Sequence, residues 1–308
     1  MKAIAFDAYG SADVLYPVEL DLPVPGPGQV RIAVRSAGVN PLDHKIRSGG
    51  MAGLFPVDFP YVPGREASGV VEAVGDGVTE VRTGDAVLGP TVTGSYAERT
   101  LADAGRLVAK PGSMTWEEAA ALPLAAETAW RVLELLQLRE GETLLIHGAA
   151  GGVGTMAVQF ARRRGVRVIG TASEANHAYL RGLGADPVTY GEGLAGRVRA
   201  LAPDGVHAAL DAVGKGDAVA VSVELTGGPD RVVTIADEDA GRHGVRFSNG
   251  TEPGASRTVP ALTAALGLFE SGILQLPIHH VYPLSEAAEA QRESERGHLT
   301  GKIVLAIA

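Results

Sequence analysis

The chain of 308 residues contains no cysteine, and aromatic residues make up only 5% of it. The absence of cysteine excludes disulfide bonds and any metal site held by thiolates, and it fits a reducing, cytoplasmic location. No hydrophobic run is long enough to cross a bilayer, and the first residues, MKAIAFDAYG, lack the pattern of a secretion signal. We therefore expect a cytoplasmic protein with no membrane partner.

Basic residues are also comparatively few. The 27 Lys and Arg residues are outnumbered by 36 Asp and Glu residues, which gives a formal net charge of −9. A nucleic-acid-binding surface needs clustered Lys and Arg, so the composition predicts no nucleic-acid partner. Hydrophobic residues make up 45% of the chain, enough to build the cores of two domains.

Two patterns of secondary structure follow each other along the chain. Residues 1–110 predict short strands separated by Gly and Pro turns, which is typical of a barrel. From about 120 to 265, helical segments alternate with the apolar strands TLLIHGA, VRVIGTA, HAALDAV and RVVTIA, as in βαβ units of a parallel sheet. Strand and turn patterns return after Gln275, and a helix is predicted to begin at Ser113.

These patterns predict an α/β protein with two domains. A β-barrel catalytic domain is built from residues 1–118 and 269–308, and a doubly wound cofactor-binding domain, residues 119–268, is inserted between its two parts.

The most specific motif is HGAAGGVG, which follows the apolar strand Thr143–His147 and precedes an amphipathic helix. Its glycines, Gly148, Gly151 and Gly154, would let the backbone approach a diphosphate, and the start of the helix would supply free N–H groups. Gly152 and Val153 fall in the same turn. A tight structural turn that binds nothing is the alternative interpretation.

The end of the next strand bears on the choice of cofactor. An NAD site usually has an acidic residue there, whereas this strand ends in Thr171, Ala172 and Ser173. Ser173 and Asn176 could donate hydrogen bonds to a 2′-phosphate, so NADPH is favoured. NADH remains possible because Glu174 follows directly, and Ser173 and Asn176 are equally typical of a helix cap.

Several segments, taken together and in order, point to a family. They are MKAIAFDAYGSADVL, AGVNPLDHKIRSG (37–49), PGREASGVVEAVG (63–75), GDAVLG (84–89), HGAAGGVG, LGAD (183–186), LDAVG (210–214) and GHLTGKIVL (297–305). Over almost its whole length the chain resembles the quinone oxidoreductase branch of the medium-chain dehydrogenase/reductase superfamily. The resemblance implies a GroES-like catalytic domain, a Rossmann-type cofactor domain, an active site in the cleft between them and a homodimer.

The same resemblance bears on zinc. Zinc-dependent relatives use Cys, His and a carboxylate at the catalytic metal, with a four-cysteine structural lobe. Here the Cys position is occupied by Asn40, and the Gly-His-Glu motif is replaced by Gly64-Arg65-Glu66. An amide and a guanidinium are poor zinc ligands, so we expect no metal.

Without a Lewis acid, hydride transfer needs an electron-poor acceptor such as a quinone or an α,β-unsaturated carbonyl. The candidate catalytic residues are Asn40, Asp43 and Lys45. The resemblance places Asn40 beside the nicotinamide ribose. Lys45 is a candidate donor to the substrate oxygen or a solvated lysine paired with Asp43, and Asp43 is expected to orient its neighbours. Tyr61 is expected to pack against a strand.

Further cofactor contacts are implied by position in the resemblance. They are Thr128 near the nicotinamide, Tyr190 near the adenosine, the strand ends Val213, Ile235 and Phe247, which would face the nicotinamide, and Asn249 in a loop expected to line the site. A surface role for Tyr190 and core packing for Phe247 remain alternatives. His147 is expected to be a structural histidine, His279 and His280 to face opposite ways on a strand, and Lys302 has no assigned role.

Three functions remain open. The first is an NADPH-dependent reductase of small quinones or free enones. The second is an enoyl reductase acting on a carrier-bound or polyketide-like biosynthetic intermediate. The third is a nucleotide-binding sensor without turnover.

Overall fold

The computed structural model describes residues 1–251 and 257–307, and internal contacts divide the chain into two compact units. The barrel unit comprises Met1–Leu124, Thr258–Glu270 and the residues from Leu276 onward. The sheet unit comprises Ala125–Arg257 and Ser271–Gln275. Across the described ranges, the helices are all too short or too polar to traverse a lipid bilayer.

The strands are β1 (Lys2–Ala5), β2 (Tyr16–Glu19), β3 (Gln29–Val39), β4 (Glu66–Val74), β5 (Ala86–Pro90), β6 (Arg99–Asp103), β7 (Val108–Ala109), β8 (Thr143–His147), β9 (Arg167–Thr171), β10 (Asp186–Val188), β11 (Ala208–Asp211), β12 (Val232–Thr234), β13 (Arg246–Phe247), β14 (Ile278–Pro283) and β15 (Lys302–Ala306). The α-helices are α1 (Pro41–Arg47), α2 (Trp116–Ala121), α3 (Pro123–Leu136), α4 (Gly152–Arg163), α5 (His177–Gly182), α6 (Leu194–Leu201), α7 (Ala218–Thr226), α8 (Thr258–Glu270) and α9 (Ala287–Arg296).

The barrel unit is organised around the long strand β3. Its sheet has the order β14-β15-β3-β4-β5-β7, and β6 also pairs with β3. The alternation of β3 places Val30, Ile32 and Val34 in the core. Strand β15 pairs antiparallel with β3, so that Ile303 lies opposite Val39. This pairing brings the last strand into one sheet with β3, while β1 and β2 form a separate two-stranded sheet, and it places Lys302 beside the start of α1.

The sheet unit contains parallel strands in the order β10-β9-β8-β11-β12-β13. Counted from β8, this is the doubly wound order 3-2-1-4-5-6, with the order reversing between β8 and β11. All five residues of β8 are buried, as expected for a strand covered on both faces. The carboxyl ends of β8 and β11 form the crevice at which such sheets bind ligands. The predicted α/β architecture is confirmed.

The contact-based units differ from the predicted domain boundaries in three places, one of which is Ser271–Gln275, a segment of the sheet unit that was predicted to belong to the barrel domain. The first unit extends to Leu124 rather than residue 118, because α2 packs on β3 and β4 and the Ser68 hydroxyl donates to the carbonyl of Trp116 (2.6 Å). Helix α8 groups with the barrel unit, although the prediction assigned residues through 268 to the inserted domain. Arg106 donates a hydrogen bond to Thr258 Oγ1 (3.2 Å) at the start of that helix.

Three helix predictions need correction. The helix predicted from Ser113 begins at Trp116, because Thr115 and Glu118 form the capping box: Glu118 N donates to Thr115 Oγ1 and Thr115 N donates to Glu118 Oε2. Helices α1 and α9 lie in regions predicted as strand and turn. The polar helix α9 buries a stripe at helical spacing, Ala287, Ala290, Gln291 and Ser294, but these side chains are small or polar, so the stripe is only weakly apolar.

Candidate active site

The glycine turn after β8 uses each of its three glycines differently. Gly148 has a φ of +74°, which side-chain-bearing residues rarely adopt. A Cβ on Gly154 would lie 2.3 Å from the carbonyl oxygen of Gly148, so this position keeps the helix close to the strand. A Cβ on Gly151 would come no closer than 3.5 Å to the rest of the protein. The missing side chain at Gly151 therefore leaves open space outside the turn.

Helix α4 starts at this turn without a side-chain cap. Gly151 is its N-cap, and no side chain bonds the N–H groups of the first turn, which includes Gly152, Val153 and Gly154. An uncapped helix start carries partial positive charge and free donors, the two features that hold a diphosphate. The turn thus fits the diphosphate of a dinucleotide, and Gly151 leaves room for it.

Thr171, the last residue of β9, supports the glycine turn. The hydroxyl of Thr171 accepts a hydrogen bond from Gly148 N (3.2 Å), and Thr171 is buried. Its side chain therefore orients the turn from inside the protein. Ser173 and Asn176 are half-buried, and Asn176 Nδ2 donates to Ser173 Oγ (3.4 Å). Both are placed together after the strand, where the 2′-position of an adenosine ribose is read in this fold.

Asp211 organises the neighbouring strand ends. This fully buried carboxylate accepts hydrogen bonds from the backbone N–H of Val213 (2.9 Å) and Gly214 (3.1 Å) and from the Thr234 hydroxyl (2.7 Å). Val213 is exposed and Ile235 is half-buried beyond these ends of β11 and β12. Asp211 therefore fixes the positions of two predicted nicotinamide-side residues.

Arg131 links two other predicted contacts. It is buried on α3, and it donates to Thr128 Oγ1 (3.4 Å) and to the hydroxyl of Ser248, which follows β13. Thr128 is half-buried, as are Phe247 and Asn249 on either side of Ser248. Arg131 thereby connects the middle of α3 to the segment after β13.

His147 is a structural histidine. The Ser222 hydroxyl donates its one hydrogen to the carbonyl of Ala218 (2.7 Å), so His147 Nε2 must donate to Ser222 Oγ (2.9 Å). Burial lowers the pKa of His147 to about 4, which keeps the ring neutral at physiological pH. Its bond to α7 agrees with the role expected from the sequence.

In the barrel unit, Asn40, Glu66 and Lys302 form a buried polar cluster. Asn40 Nδ2 donates to Glu66 Oε1 (2.7 Å), while Lys302 Nζ donates to Glu66 Oε1 (2.8 Å) and to Asn40 Oδ1. Since Lys can only donate and a carboxylate can only accept, these partners fix the orientation of the amide. Glu66 Oε2 also accepts from Leu124 N (2.7 Å). Lys302, which the sequence left without a role, is thus a direct partner of Asn40.

Asp43 lies beside this cluster on the first turn of α1. Its Oδ2 accepts hydrogen bonds from Asn40 N (2.9 Å) and from the Tyr96 hydroxyl (3.0 Å). Burial raises the pKa of Asp43 to about 6, against the opposing effects of these bonds and of the Lys302 charge. Burial also raises the pKa of Tyr96 well above its usual value. Asp43 therefore orients the backbone of Asn40 and the Tyr96 hydroxyl.

The remaining predicted residues are placed as follows. Lys45 is half-buried and lies two residues from Asp43 on α1, about 200° around the helix, so the two side chains leave on different sides. Tyr190 is exposed before α6. Tyr61 packs edge-on against Phe6, with ring centroids 5.5 Å apart, as expected.

His279 and His280 do not face opposite ways. Both rings reach the carboxylate of Glu293, at 3.4 and 3.5 Å, because an irregularity in β14 between Ile278 and His280 disrupts the strand alternation. Within the described ranges, no cluster of three or more His, Asp or Glu side chains is arranged to hold a metal ion.

Sequence reasoning missed four of these residues as parts of the site. Asp211 had a usable signal, because it is a carboxylate at the end of an apolar strand. Glu66 was recognised only as a remnant of a zinc motif. Arg131 and Tyr96 gave no signal, since their partners are distant in sequence.

Comparisons with known proteins show the family to which this fold is similar. Residues 26–114 match the family described as alcohol dehydrogenase GroES-like domain, and residues 183–305 match the family described as zinc-binding dehydrogenase. A quinone oxidoreductase of Pseudomonas aeruginosa is 36% identical over 99% of both chains. The quinone oxidoreductase from Coxiella burnetii has a solved structure with a TM-score of 0.84 and 31% identity, covering 100% of this chain and 99% of that one.

Some relatives are much longer than this chain. The pikromycin polyketide synthase component PikAII of Streptomyces venezuelae is 35% identical over 97% of this chain, which spans 8% of the synthase. The chain likewise spans 5% of the polyketide synthase GfsB of Streptomyces halstedii. A mycobacterial protein solved in complex with NADPH has a TM-score of 0.86 and 31% identity, covering 99% of this chain and 100% of its own.

The parallel sheet with its glycine turn, joined in sequence to a GroES-like barrel, defines the architecture of the medium-chain dehydrogenase/reductase superfamily. More narrowly, the chain belongs to the quinone oxidoreductase branch of the medium-chain dehydrogenase/reductase superfamily.

Proposed function

We propose that this protein is an NADPH-dependent reductase that delivers hydride to a small quinone or an α,β-unsaturated carbonyl without zinc. The observation on which this depends is the uncapped start of α4 beside the open space at Gly151. These features would bind the diphosphate through backbone N–H groups. The nicotinamide, when bound, supplies the hydride.

The preference for NADPH is supported at the end of β9. Ala172 stands where an acidic residue would select NAD, and Ser173 and Asn176 offer polar groups there. The related mycobacterial protein was solved with NADPH.

The independence from zinc is supported by the donor set around Asn40. The Lys302 ammonium already lies against both Asn40 and Glu66, and its positive charge opposes a divalent cation there. A substrate carbonyl is then activated by its own conjugation and by nearby hydrogen-bond donors. We also propose that the protein is a cytoplasmic homodimer that binds neither nucleic acid nor membrane.

A carrier-bound enoyl thioester is the second candidate substrate, and the similarity to segments of polyketide synthases favours it. A 2-methylene-furan-3-one reductase of Solanum lycopersicum, 34% identical over 99% of this chain and 79% of its own length, favours a free enone instead.

The test is anaerobic oxidation of NADPH and NADH with a panel of quinones, short enones and enoyl thioesters. We expect turnover with NADPH and a quinone or enone, unchanged after dialysis against a chelator. Preference for thioesters would favour the second candidate, and NADPH binding without turnover across the panel would favour a sensor. Gly151→Val should abolish cofactor binding, whereas Gly196→Val, on α6 where a Cβ meets nothing within 4 Å, is the matched control.

A further inference from the structure

The barrel unit contains a pocket of about 300 Å³ that the proposed cofactor site does not use. It lies beside the amino end of β4 and the segment that follows β5. The residues that line it are Pro60, Tyr61, Val62, Gly64, Arg65, Thr91, Val92, Thr93 and Gly94.

Arg65 gives this pocket a positive charge. Its guanidinium is half-buried and lies over the ring of Phe55, 5.2 Å from the centroid. Among the residues that the structure describes, no carboxylate lies within ion-pair distance of it. The adjacent Glu66 projects to the other side, toward Lys302. A half-buried cation without a carboxylate partner is well placed to bind an anion.

Thr91 supplies a second, independent observation. Its hydroxyl oxygen is buried and has no hydrogen-bond partner within the described part of the chain, which is rare for a buried polar atom. Its backbone N–H donates to the carbonyl of Arg65 (3.0 Å), so the two residues are neighbours across the pocket wall. Burial raises the pKa of Tyr61, on the same wall, so its phenol keeps its proton and remains a donor.

We propose that this pocket binds the carboxylate of a small organic acid, with Arg65 and Thr91 donating to its oxygens. One guanidinium balances a single negative charge and matches the two oxygens of a carboxylate, whereas a phosphate dianion calls for more positive charge. Val62 and Val92 provide apolar contacts for a short carbon skeleton. That this acid is the acceptor, an enone or quinone bearing a carboxylate, rests on the proposed function. That the pocket binds a carboxylate rests only on the residues that line it.

The first test measures binding by calorimetry, without cofactor, on the full chain. The ligands are 4-oxo-2-pentenoate, the neutral 3-penten-2-one, in which methyl replaces the carboxylate, and inorganic phosphate. We expect the acid to bind at least tenfold more tightly than the other two. Arg65→Gln should weaken it at least tenfold and Thr91→Val severalfold, while Arg65→Lys, which keeps the charge but loses the planar fork, should weaken it less than Arg65→Gln.

Arg82→Gln is the control for the lost charge, because Arg82 lies on the surface with 89% of its side chain exposed. Melting temperatures establish that each variant folds. Equal binding of the acid by wild type and Arg65→Gln, or tighter binding of phosphate than of the acid, would overturn the proposal.

The second test measures turnover. We expect a higher kcat/KM for 4-oxo-2-pentenoate than for 3-penten-2-one, and Arg65→Gln should lower the ratio of the two kcat/KM values at least tenfold. Equal loss with both enones would contradict a carboxylate site. If the wild type does not oxidise NADPH with any acceptor of the panel, the proposed function fails. The calorimetry then still decides whether the pocket binds an acid.

Discussion

Replacing Lys302 by methionine would remove the ammonium from a buried cluster while keeping an unbranched side chain. Only 6% of the Lys302 side chain and none of the Glu66 side chain is exposed. The ammonium donates to Glu66, Asn40 and the carbonyl of Val39, so all three of its hydrogens are used. Without it, the Glu66 carboxylate remains buried with no cation beside it.

The cost follows from that uncompensated charge. Removing one partner of a buried ion pair typically destabilises a protein by about 3–5 kcal/mol. Lys302→Met should therefore lower the free energy of unfolding by this amount. In the double variant Lys302→Met/Glu66→Gln the buried charge is gone, but the single amide oxygen can accept from only one of Asn40 and Leu124, which bond different oxygens of Glu66, so about half of the loss should be recovered.

Urea unfolding followed by fluorescence is a suitable assay because the chain has two tryptophans, one in each unit. In a Trp130→Phe background the signal comes from Trp116 in the barrel unit. The control is Arg199→Met, which breaks a surface pair with Glu224 whose side chains are both more than half exposed and should cost about 0–1 kcal/mol. A loss below about 1 kcal/mol for Lys302→Met, or no recovery in the double variant, would refute the reasoning.

Three further predictions concern the glycine turn and the two buried titratable groups. Gly151→Ala should preserve the melting temperature but weaken NADPH binding, whereas Gly154→Ala should lower the melting temperature, because its Cβ would lie 2.3 Å from a carbonyl oxygen; equal melting temperatures would contradict this. The folded-state pKa of Asp43 is raised from 3.8 to about 6, so the wild type loses stability as pH rises through that window. Relative to wild type, Asp43→Asn should gain about 3 kcal/mol in unfolding free energy between pH 4 and pH 7. The pKa of His147 is lowered from 6.5 to about 4, so the wild type loses stability as pH falls through that window. His147→Gln, which keeps a donor toward Ser222, should gain about 3 kcal/mol relative to wild type between pH 7 and pH 4, the opposite pH direction to Asp43→Asn. Parallel pH profiles for the two variants would show that these assignments are wrong.

The sequence predicted the features that depend on local pattern. The buried strand, glycine spacing and amphipathic helix around Gly148 are contiguous, so the dinucleotide turn was visible in HGAAGGVG. The alternation of strands and helices likewise predicted the parallel sheet. The short polar helix α9 was missed, because its buried face has helical spacing but consists of small and polar residues that give a weak apolar signal.

The polar cluster of Asn40, Glu66 and Lys302 could not be predicted from local sequence patterns. Lys302 and Asn40 are 262 residues apart, and they meet only because β15 pairs with β3 in one particular register. The motif Gly64-Arg65-Glu66 predicts that Arg65 is a poor zinc ligand, but it does not predict what Arg65 and Glu66 contact. That information lies in strand alternation, which directs Glu66 toward Lys302 and Arg65 into the pocket.

The contacts of Lys302 explain how the chain keeps a buried carboxylate at Glu66. A carboxylate in an apolar core requires a cation, and here the Lys302 ammonium meets that requirement from the last strand of the fold. The ammonium also holds the amide of Asn40 in one orientation. Lys302→Met should therefore disturb the environment of Asn40 as well as stability, whereas Lys302→Arg, which keeps the charge, should disturb it less. The Asn40 side-chain amide resonances in a ¹⁵N spectrum would report this difference. Identical chemical shifts in wild type and Lys302→Met would show that Lys302 stabilises Glu66 without orienting Asn40.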